Sequence, residues 1–200
     1  VNYGKACIAG GKLGNISSSV SIGGSYLPNW RPHQNFKDNY TADPLSGGVL
    51  FDWVHEVDLL FYLLGDMTAH SAVAQQNGPL KLGSDEQISV TLTSQEGKIF
   101  SNLLLSYLVN PPLRKTTIMG DSGILEIDII RRKASLFSLN RSLSEQIDFG
   151  GSHNDDYINE LQCFIACVSD QSLPKCTLWD SVQVLRSILK IRQLAGLPCA

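Results

Sequence analysis

Residues 47–65 of the chain read GGVLFDWVHEVDLLFYLLG, a largely apolar segment that contains four ionisable side chains. The pattern predicts a helix in which, at about 100° per residue, Asp52, His55 and Glu56 share one stripe. Asp58 lies to the side of His55 on the same helix. Most of the remaining surface is apolar, which predicts burial. Because an unpaired buried charge is strongly unfavourable, the stripe is either an internal polar cluster or the wall of a functional site.

A histidine with carboxylates three residues before and after it suits proton transfer. A neighbouring carboxylate can fix the tautomer of His55 and raise its basicity toward neutral pH. The alternative is a buried, hydrogen-bonded structural histidine, which is the commoner role of a lone histidine in an apolar helix. The pair His55 and Glu56 also resembles a zinc protease motif, but Leu59 stands where the second histidine ligand would be.

A long loop precedes this helix and supplies the other candidate site residues. Residues 27–45 contain three prolines with aromatic and charged residues between them, and a loop of that length in a compact domain is usually functional. We expect Trp30, Arg31 and Tyr40 to contact substrate, with Arg31 able to clamp a carboxylate or phosphate. The alternative is that Trp30 fills the core while Arg31 extends into solvent.

The rest of the chain predicts an α+β domain. A helix ends near residue 10, a strand follows from residue 16, and period-two alternation then predicts a large, mostly antiparallel sheet. The predicted strands after residue 65 are near 68–76, 86–94, 98–108, 113–119, 124–130, 134–139 and 144–149. Two helices, near 154–169 and 178–195, should pack on one sheet face. Because Leu104 and Leu108 are apolar on the opposite face from Leu103 and Leu105, we expect another subunit to cover that face.

Composition excludes several classes of protein. The chain has 200 residues and a formal net charge of −3, and its basic residues are scattered, so we expect no nucleic-acid partner. No uncharged apolar segment of about eighteen residues exists, which argues against a membrane span. Five dispersed cysteines indicate free thiols and a cytoplasmic location. We expect Cys163 and Cys167 to pack in the core, and Gly23 and Gly24 to mark a bulge or bend in the first strand.

Several motifs resemble the C-terminal domain of the glucose-fructose oxidoreductase / inositol dehydrogenase / MocA family of NAD(P)-dependent enzymes. The central one is Gly-Gly-x-x-x-Asp-x-x-His-Glu-x-Asp, followed by an apolar run and Leu-Leu-Gly. The others lie at residues 10–16, 26–32, 40–42, 119–128 and 180–189. Much of the family carries its aspartate four residues before the histidine, whereas here Phe51 holds that position and Asp52 lies three before His55.

The resemblance implies a dihydrodipicolinate-reductase-like fold, a sugar, polyol or sugar-nucleotide substrate, and a homodimer or homotetramer formed through the sheet. It also implies His55 as general base, with Asp52 or Asp58 orienting it. No Gly-x-Gly-x-x-Gly turn is present, so NAD or NADP should be bound mainly by a Rossmann domain absent from this chain. On this interpretation residues 1–14 end the helix after that domain, and residues 15–200 form the substrate-binding and oligomerisation domain, inactive alone. The alternative function is a non-catalytic scaffold of the same fold.

Overall fold

The computed structural model describes residues 1–140, 142–174 and 176–198. Cys199 of the predicted free thiols lies outside them. The described helices are α1 Asn2–Ala9, α2 Val49–Asp52, α3 Val54–Leu64, α4 His153–Asp170 and α5 Leu178–Leu194, with short 3-10 turns at Leu27–Asn29, Phe36–Asp38 and Tyr40–Ala42. The strands are β1 Ile16–Gly24, β2 Met67–Gln76, β3 Asp85–Ser94, β4 Phe100–Ser106, β5 Leu113–Gly120, β6 Gly123–Asp128, β7 Lys133–Ser138 and β8 Leu143–Asp148.

The eight strands form one sheet in the order β2-β3-β4-β1-β5-β6-β7-β8. The first strand is inserted in the middle, where it runs parallel to β4 and antiparallel to β5. The other neighbouring pairs are antiparallel. The predicted α+β class and the mostly antiparallel sheet are therefore confirmed.

The alternation of apolar and polar residues decides which sheet face is buried. In β3, Ile88, Val90 and Leu92 are buried, whereas Ser89 between them is exposed. The buried face packs against α3 and α5, and the main core cluster joins the sheet to these helices. Its fully buried members include Val49, Leu50, Val57, Leu60, Leu103, Leu105, Tyr107, Ile188 and Ile191.

The opposite sheet face keeps several large apolar side chains in solvent. Val20, Phe100 and Leu104 are 39%, 55% and 40% exposed, on the strands at the centre of the sheet. The expected second apolar face is therefore present at Leu104. The expectation for Leu108 is wrong: β4 ends at Ser106, and Leu108 beyond it packs against the main core cluster. Burying it would be favourable in proportion to the apolar area removed from water.

The expectation that Cys163 and Cys167 lie in the core is wrong. Both lie on α4, where Cys163 is exposed and Cys167 is half-buried. The apolar residues Leu161 and Phe164 of the same helix are 59% and 65% exposed. The helical repeat of apolar residues predicted α4 correctly, but a repeat does not indicate whether another element covers it.

Gly23 and Gly24 are required by close packing rather than by the bulge expected in β1. A Cβ atom on Gly23 would lie 2.8 Å from the Trp53 ring, and one on Gly24 would lie 2.4 Å from the carbonyl oxygen of Ser106. Both residues pair regularly with β4 and β5. Their small size lets the segment between α2 and α3 approach the sheet, which places the candidate site directly over the end of β1.

Candidate active site

The predicted helix over residues 47–64 is interrupted at Trp53, which divides it into α2 and α3. Trp53 has φ −107° and ψ 27°, outside the helical region. The preceding α2 is fixed at its start because the backbone N–H of Leu50 donates to the buried carboxylate of Asp85 at 2.8 Å. The interruption changes the relative direction of the polar side chains before and after it. The single polar stripe predicted for an uninterrupted helix is therefore wrong.

Asp52 is held by two tyrosines and not by His55. The hydroxyl of Tyr40 donates to Oδ1 of Asp52 at 2.9 Å, and the hydroxyl of Tyr107 donates to Oδ2 at 2.5 Å. Burial raises the pKa of Tyr107, and the nearby Asp52 charge raises it further, so this phenol stays protonated and remains a donor. No hydrogen bond joins the described side chains of Asp52 and His55. The expected pair is absent because the two residues lie on either side of the interruption.

His55 instead lies beside a buried ion pair. Its Nε2 is 3.5 Å from Oε1 of Glu56, and the same oxygen accepts a short hydrogen bond from Nε of Arg114. Glu56 is fully buried, whereas 44% of the His55 side chain is exposed. The other Glu56 oxygen, Oε2, has no hydrogen-bond partner among the described residues. A buried carboxylate and a guanidinium from β5 therefore support a partly accessible imidazole.

Burial and charge both favour the neutral form of this imidazole. Desolvation, with the positive charge of Arg114, lowers the pKa of His55 to about 4. The His55 ring also lies 5.4 Å from that of Trp53, centroid to centroid, which shields one side from water. Burial raises the pKa of Glu56, and Arg114 opposes that rise through its charge and its hydrogen bond. The expected rise in the basicity of His55 is therefore wrong: burial and Arg114 outweigh the neighbouring carboxylate. At neutral pH, His55 is an unprotonated, half-exposed imidazole that can accept a proton but is a weaker base than an ordinary histidine.

Asp58 lies away from this cluster. Burial raises its pKa, and the negative charge of Asp180 at the start of α5 raises it further. No hydrogen bond or ion pair connects Asp58 to His55 within the described part of the chain. Asp58 lies close enough to the start of α5 to interact with the charge of Asp180, and its expected roles in contacting substrate and orienting His55 find no support in these contacts.

The loop residues Trp30, Arg31 and Tyr40 do gather near Asp52. The indole N–H of Trp30 donates to Ser25 Oγ at 2.6 Å, and its ring meets the Tyr107 ring edge-on at 5.6 Å. The guanidinium of Arg31 lies 5.9 Å from the centre of the Tyr40 ring. Trp30 is 38% exposed, so the alternative in which it fills the core is not the observed arrangement.

A cavity of about 310 Å³ lies between Trp30 and Trp53. It is lined by Ser25, Tyr26, Asn29, Trp30, Trp53, Asn110, Pro112 and Ile130. A wider, shallower groove of about 1050 Å³ lies at the opposite end of β1, near Ile16 and Gln95. The smaller cavity is the better candidate for a site, because Trp53 and Tyr107 connect its walls directly to His55 and Asp52.

Tyr107, Glu56 and Arg114 were not predicted as site residues. Glu56 was considered for the helix stripe and for the zinc motif, and Tyr107 lies in the predicted strand 98–108, where alternation alone does not mark a site residue. Alternate residues of a strand point to the same face, so Arg114 lies on the same face of β5 as the buried Thr116 and Ile118. That alternation is the signal that could have placed Arg114 in the interior. The sequence does not indicate which acid it would meet 58 residues away.

The starts of α2, α4 and α5 do not fit the phosphates of a dinucleotide. Carboxylates already occupy the starts of α2, α4 and α5, where Asp85, Asp155 and Asp180 accept backbone N–H groups. A negative phosphate at these positions would meet a negative side chain instead of free donors. Among the described residues, no cluster of His, Cys, Asp and Glu could hold a metal ion, so His55 and Glu56 lack the further ligands that a zinc site needs.

The fold is that of a C-terminal domain in an oxidoreductase family. The chain belongs to the glucose-fructose oxidoreductase / inositol dehydrogenase / MocA family: the profile of the oxidoreductase family, C-terminal alpha/beta domain, matches residues 5–194. No curated protein sequence matches the chain. In the described residues, no helix is long and apolar enough to cross a membrane.

Solved structures share the fold at low sequence identity. An NAD binding oxidoreductase from Klebsiella pneumoniae aligns with a TM-score of 0.83 and 15% identity, over 98% of this chain and 61% of its own. A levoglucosan dehydrogenase in complex with NADH and levoglucosan aligns with a TM-score of 0.83 and 16% identity, over 96% of this chain and 60% of its own. The WlbA dehydrogenase from Bordetella pertussis, in complex with NADH and UDP-GlcNAcA, aligns with a TM-score of 0.72 and 17% identity, over 98% of this chain and 57% of its own. The chain thus spans about three-fifths of the length of these relatives.

Proposed function

We propose that this chain is the substrate-binding domain of an NAD(P)-dependent oxidoreductase that acts on a hydroxyl of a sugar, polyol or sugar nucleotide. The observation that carries the proposal is the placement of His55. This half-exposed, neutral imidazole lies beside the buried Glu56–Arg114 pair and next to an aromatic cavity. Oxidation of a carbinol requires a group that accepts the hydroxyl proton, and His55 is an accessible, unprotonated group at this position.

The other residues of the site bind and orient substrate in this proposal. Asp52 is fixed by Tyr40 and Tyr107, so a substrate hydroxyl would meet a carboxylate whose position is already set. Trp30 offers an indole to the apolar face of a sugar ring, and Arg31 lies at the exposed side of Tyr40. The sugar-type ligands of similar structures, levoglucosan and L-sorbose, agree with this substrate class.

NAD or NADP would supply the hydride acceptor. Because the starts of α2, α4 and α5 are occupied by carboxylates, we propose that a different part of the protein binds the cofactor and that this domain alone is inactive. Relatives in complex with NADH are longer chains, which supports this division. A cytoplasmic location is also proposed, on the basis of the free thiols at Cys7, Cys163, Cys167 and Cys176. Cell fractionation that places the protein outside the cytoplasm would contradict it.

Self-association through the outer sheet face is part of the proposal. The exposed Val20, Phe100 and Leu104 form the centre of that face, and burying them between two copies would remove apolar surface from water. Sedimentation equilibrium that shows only monomers at tens of micromolar would contradict this part. The same face favours the alternative function, a non-catalytic scaffold in which His55 is structural.

Substitution of His55 separates the two functions. In the full-length protein, we expect His55→Asn to lower turnover by roughly 10²- to 10⁴-fold with little change in melting temperature, because it removes the base but keeps much of the side chain. Asp58→Asn on the same helix is the matched control, and turnover should stay within a few-fold of wild type. If His55→Asn keeps turnover but lowers the melting temperature by several degrees, the scaffold function is the better account.

A further inference from the structure

The buried carboxylate of Glu56 can accept more hydrogen bonds than Arg114 provides. Its Oε1 accepts a hydrogen bond from Nε of Arg114 and lies 3.5 Å from Nε2 of His55. Its Oε2 has no hydrogen-bond partner among the described residues, although the side chain is fully buried. A carboxylate has about four lone-pair sites, and a buried group that leaves such sites unused calls for an explanation. Arg114 therefore leaves part of the accepting capacity of Glu56 free for the imidazole.

A carboxylate at this distance decides which nitrogen of the imidazole carries the proton. A neutral imidazole has one N–H donor and one acceptor nitrogen, whereas an ionised carboxylate can only accept. If Nε2 of His55 were unprotonated, its lone pair would face the lone pairs of Oε1. The contact therefore favours the proton on Nε2 and leaves the lone pair on Nδ1. The distance of 3.5 Å is long for a hydrogen bond, and catalytic contacts of this kind often shorten when substrate binds.

Gly23 fixes both side chains that lie against the imidazole. A Cβ atom on Gly23 would lie 2.8 Å from the Trp53 ring and 3.1 Å from Cγ of Glu56, so both side chains pack directly on β1. The Trp53 ring in turn lies 5.4 Å from the His55 ring, centroid to centroid. The carboxylate and the indole are thus held by packing on the sheet. A group that orients a catalytic base has to be fixed in this way.

The two acids that the sequence offered for this role are engaged elsewhere. Both oxygens of Asp52 accept hydrogen bonds from tyrosine hydroxyls, at 2.9 and 2.5 Å. Asp58 has no hydrogen bond or ion pair to His55 in the described part of the chain. Among the described residues, the charged groups beside the imidazole are Glu56 on its own helix and Arg114 from β5. Only the first of these two can accept a proton from the ring.

We propose that Glu56 is a positioning residue for His55: its Oε1 keeps the imidazole proton on Nε2, so that Nδ1 receives the hydroxyl proton of the substrate. The inference rests on the proposed function, because it names the atom of His55 that performs the proton transfer. In that reaction the hydroxyl proton moves to Nδ1 as the carbinol carbon gives its hydride to the oxidised nicotinamide cofactor and becomes a carbonyl carbon. The imidazolium then carries protons on both nitrogens, and the negative charge of Glu56 stabilises it.

The tautomer of His55 can be measured in this chain without cofactor or turnover. Nitrogen-15 labelling of its four histidines distinguishes protonated from unprotonated ring nitrogens in the NMR spectrum, and His55→Asn identifies the His55 signals. The measurement is made at about pH 8, where an ordinary histidine is neutral. Because the acceptor is charged, we expect the ratio of the Nε2–H form to the Nδ1–H form to be at least about tenfold higher for His55 than for a histidine in a model peptide.

Two variants that both lack Arg114 isolate the effect of the carboxylate. Glu56→Met/Arg114→Met replaces the buried pair by apolar side chains, a change that proteins often tolerate without loss of stability. Its His55 ratio should fall to that of the model peptide. Arg114→Met keeps the carboxylate, so its ratio should stay as high as in wild type. Glu56→Gln gives a third comparison with Arg114 in place: the amide oxygen that accepts from Arg114 can also accept from Nε2, so the high ratio should be retained.

Turnover of the full-length protein tests the positioning role. At saturating substrate, Glu56→Met/Arg114→Met should turn over at least about tenfold more slowly than Arg114→Met, with KM within a few-fold, because the orientation of the base acts on the transition state. A merely structural Glu56 would change the melting temperature and leave the two turnover numbers equal.

Three results would overturn the inference: a wild-type His55 ratio no higher than that of the model peptide, equal ratios in the two variants that lack Arg114, or equal turnover of those variants. Failure of the proposed function gives a different result. If His55→Asn keeps its turnover while the tautomer depends on Glu56, the role of His55 as base fails although the carboxylate orients the ring. If turnover depends on His55 while the tautomer is independent of Glu56, only the positioning role fails.

Discussion

Two buried arginine–carboxylate pairs support the layer between the sheet and the helices, and they differ in what surrounds them. Glu56 pairs with Arg114 beneath the candidate site, and Asp85 pairs with Arg192 under the start of α2. Both carboxylates are essentially inaccessible to solvent. The comparison shows how the same two chemical groups can either hold the backbone in place or set the charge environment of an accessible side chain.

The Asp85–Arg192 pair is closed on every side. Arg192 is 1% exposed and donates to the carbonyl oxygens of Pro44 at 2.8 Å and Pro198 at 2.6 Å. Its guanidinium is 3.6 Å from Asp85 and stacks on the Phe51 ring at 4.5 Å. Its partners thus come from the loop before α2, from α2 itself, from β3 and from the C-terminal segment. This arginine joins four parts of the backbone.

The Glu56–Arg114 pair is open on one side. The Arg114 side chain is 26% exposed, and one oxygen of Glu56 faces both its guanidinium and the imidazole of His55. None of the described contacts of Arg114's side chain is to a backbone carbonyl. Its positive charge therefore acts on neighbouring ionisable groups: it adds to the lowering of the His55 pKa that burial causes, and it opposes the rise in the Glu56 pKa that burial causes. The pair sets protonation states rather than backbone position.

Removing the closed arginine should give the largest effect. Arg192→Met removes the positive charge beside the buried Asp85 carboxylate and leaves the carbonyl oxygens of Pro44 and Pro198 without their donor, so we expect the free energy of unfolding to fall by about 3–5 kcal/mol. Urea denaturation measures the change. Arg131→Met is the control, because Arg131 is 80% exposed and only loosely paired with Asp128, and its effect should be within about 0.5 kcal/mol. A loss below about 1 kcal/mol for Arg192→Met would show that solvent reaches the pair.

Removing the open arginine should have a smaller effect on stability and an additional effect on charge. We expect Arg114→Met to lower the free energy of unfolding by about 2–4 kcal/mol, because part of its side chain is already solvated. It should also raise the pKa of His55, since the nearby positive charge is lost; NMR titration of the imidazole measures this shift. Arg192→Met should leave the pKa of His55 nearly unchanged, and equal shifts in the two variants would remove the distinction between the pairs.

Lys115→Met, at the residue next to Arg114, is the control for Arg114→Met. Lys115 pairs with Glu126 at 2.6 Å, but both side chains are more than one-third exposed. An exposed pair contributes less than about 1 kcal/mol, so this substitution should be nearly neutral. Combining Arg114→Met with Glu56→Gln should recover part of the lost stability, because the unpaired buried charge is then removed as well.

The sequence predicted most of the fold because its signals are local. The alternation in 86–94 predicted β3, observed at Asp85–Ser94, and the repeat in 178–195 predicted α5, observed at Leu178–Leu194. Period-two and period-3.6 patterns depend only on neighbouring residues. The parallel pairing of β1 with β4 was not predicted, because pairing between distant strands leaves little trace in either one.

The candidate site was predicted less completely because its contacts are between distant residues. His55 and the loop residues Trp30 and Tyr40 were identified from unusual residue types in an apolar segment and in a long loop. The interruption at Trp53 was missed because the segment is a good helix by its repeat. It forms where Gly23 admits the Trp53 ring onto the sheet, and that fit is a property of the tertiary structure.

The smallest expected effect concerns the dependence of stability on pH. The folded pKa of His55 is lowered to about 4 from an ordinary value near 6.5. Between these two values the unfolded chain binds a proton that the folded chain does not, so this residue's contribution to stability is present above about pH 6.5. That contribution is lost as the pH falls toward 4.

Acidification through this range should therefore lower the free energy of unfolding, and His55→Asn should flatten that part of the curve. Chemical denaturation at a series of pH values measures both proteins. Parallel curves for wild type and His55→Asn from pH 6.5 to 4 would contradict the lowered pKa, and with it the claim that the open pair acts on the imidazole.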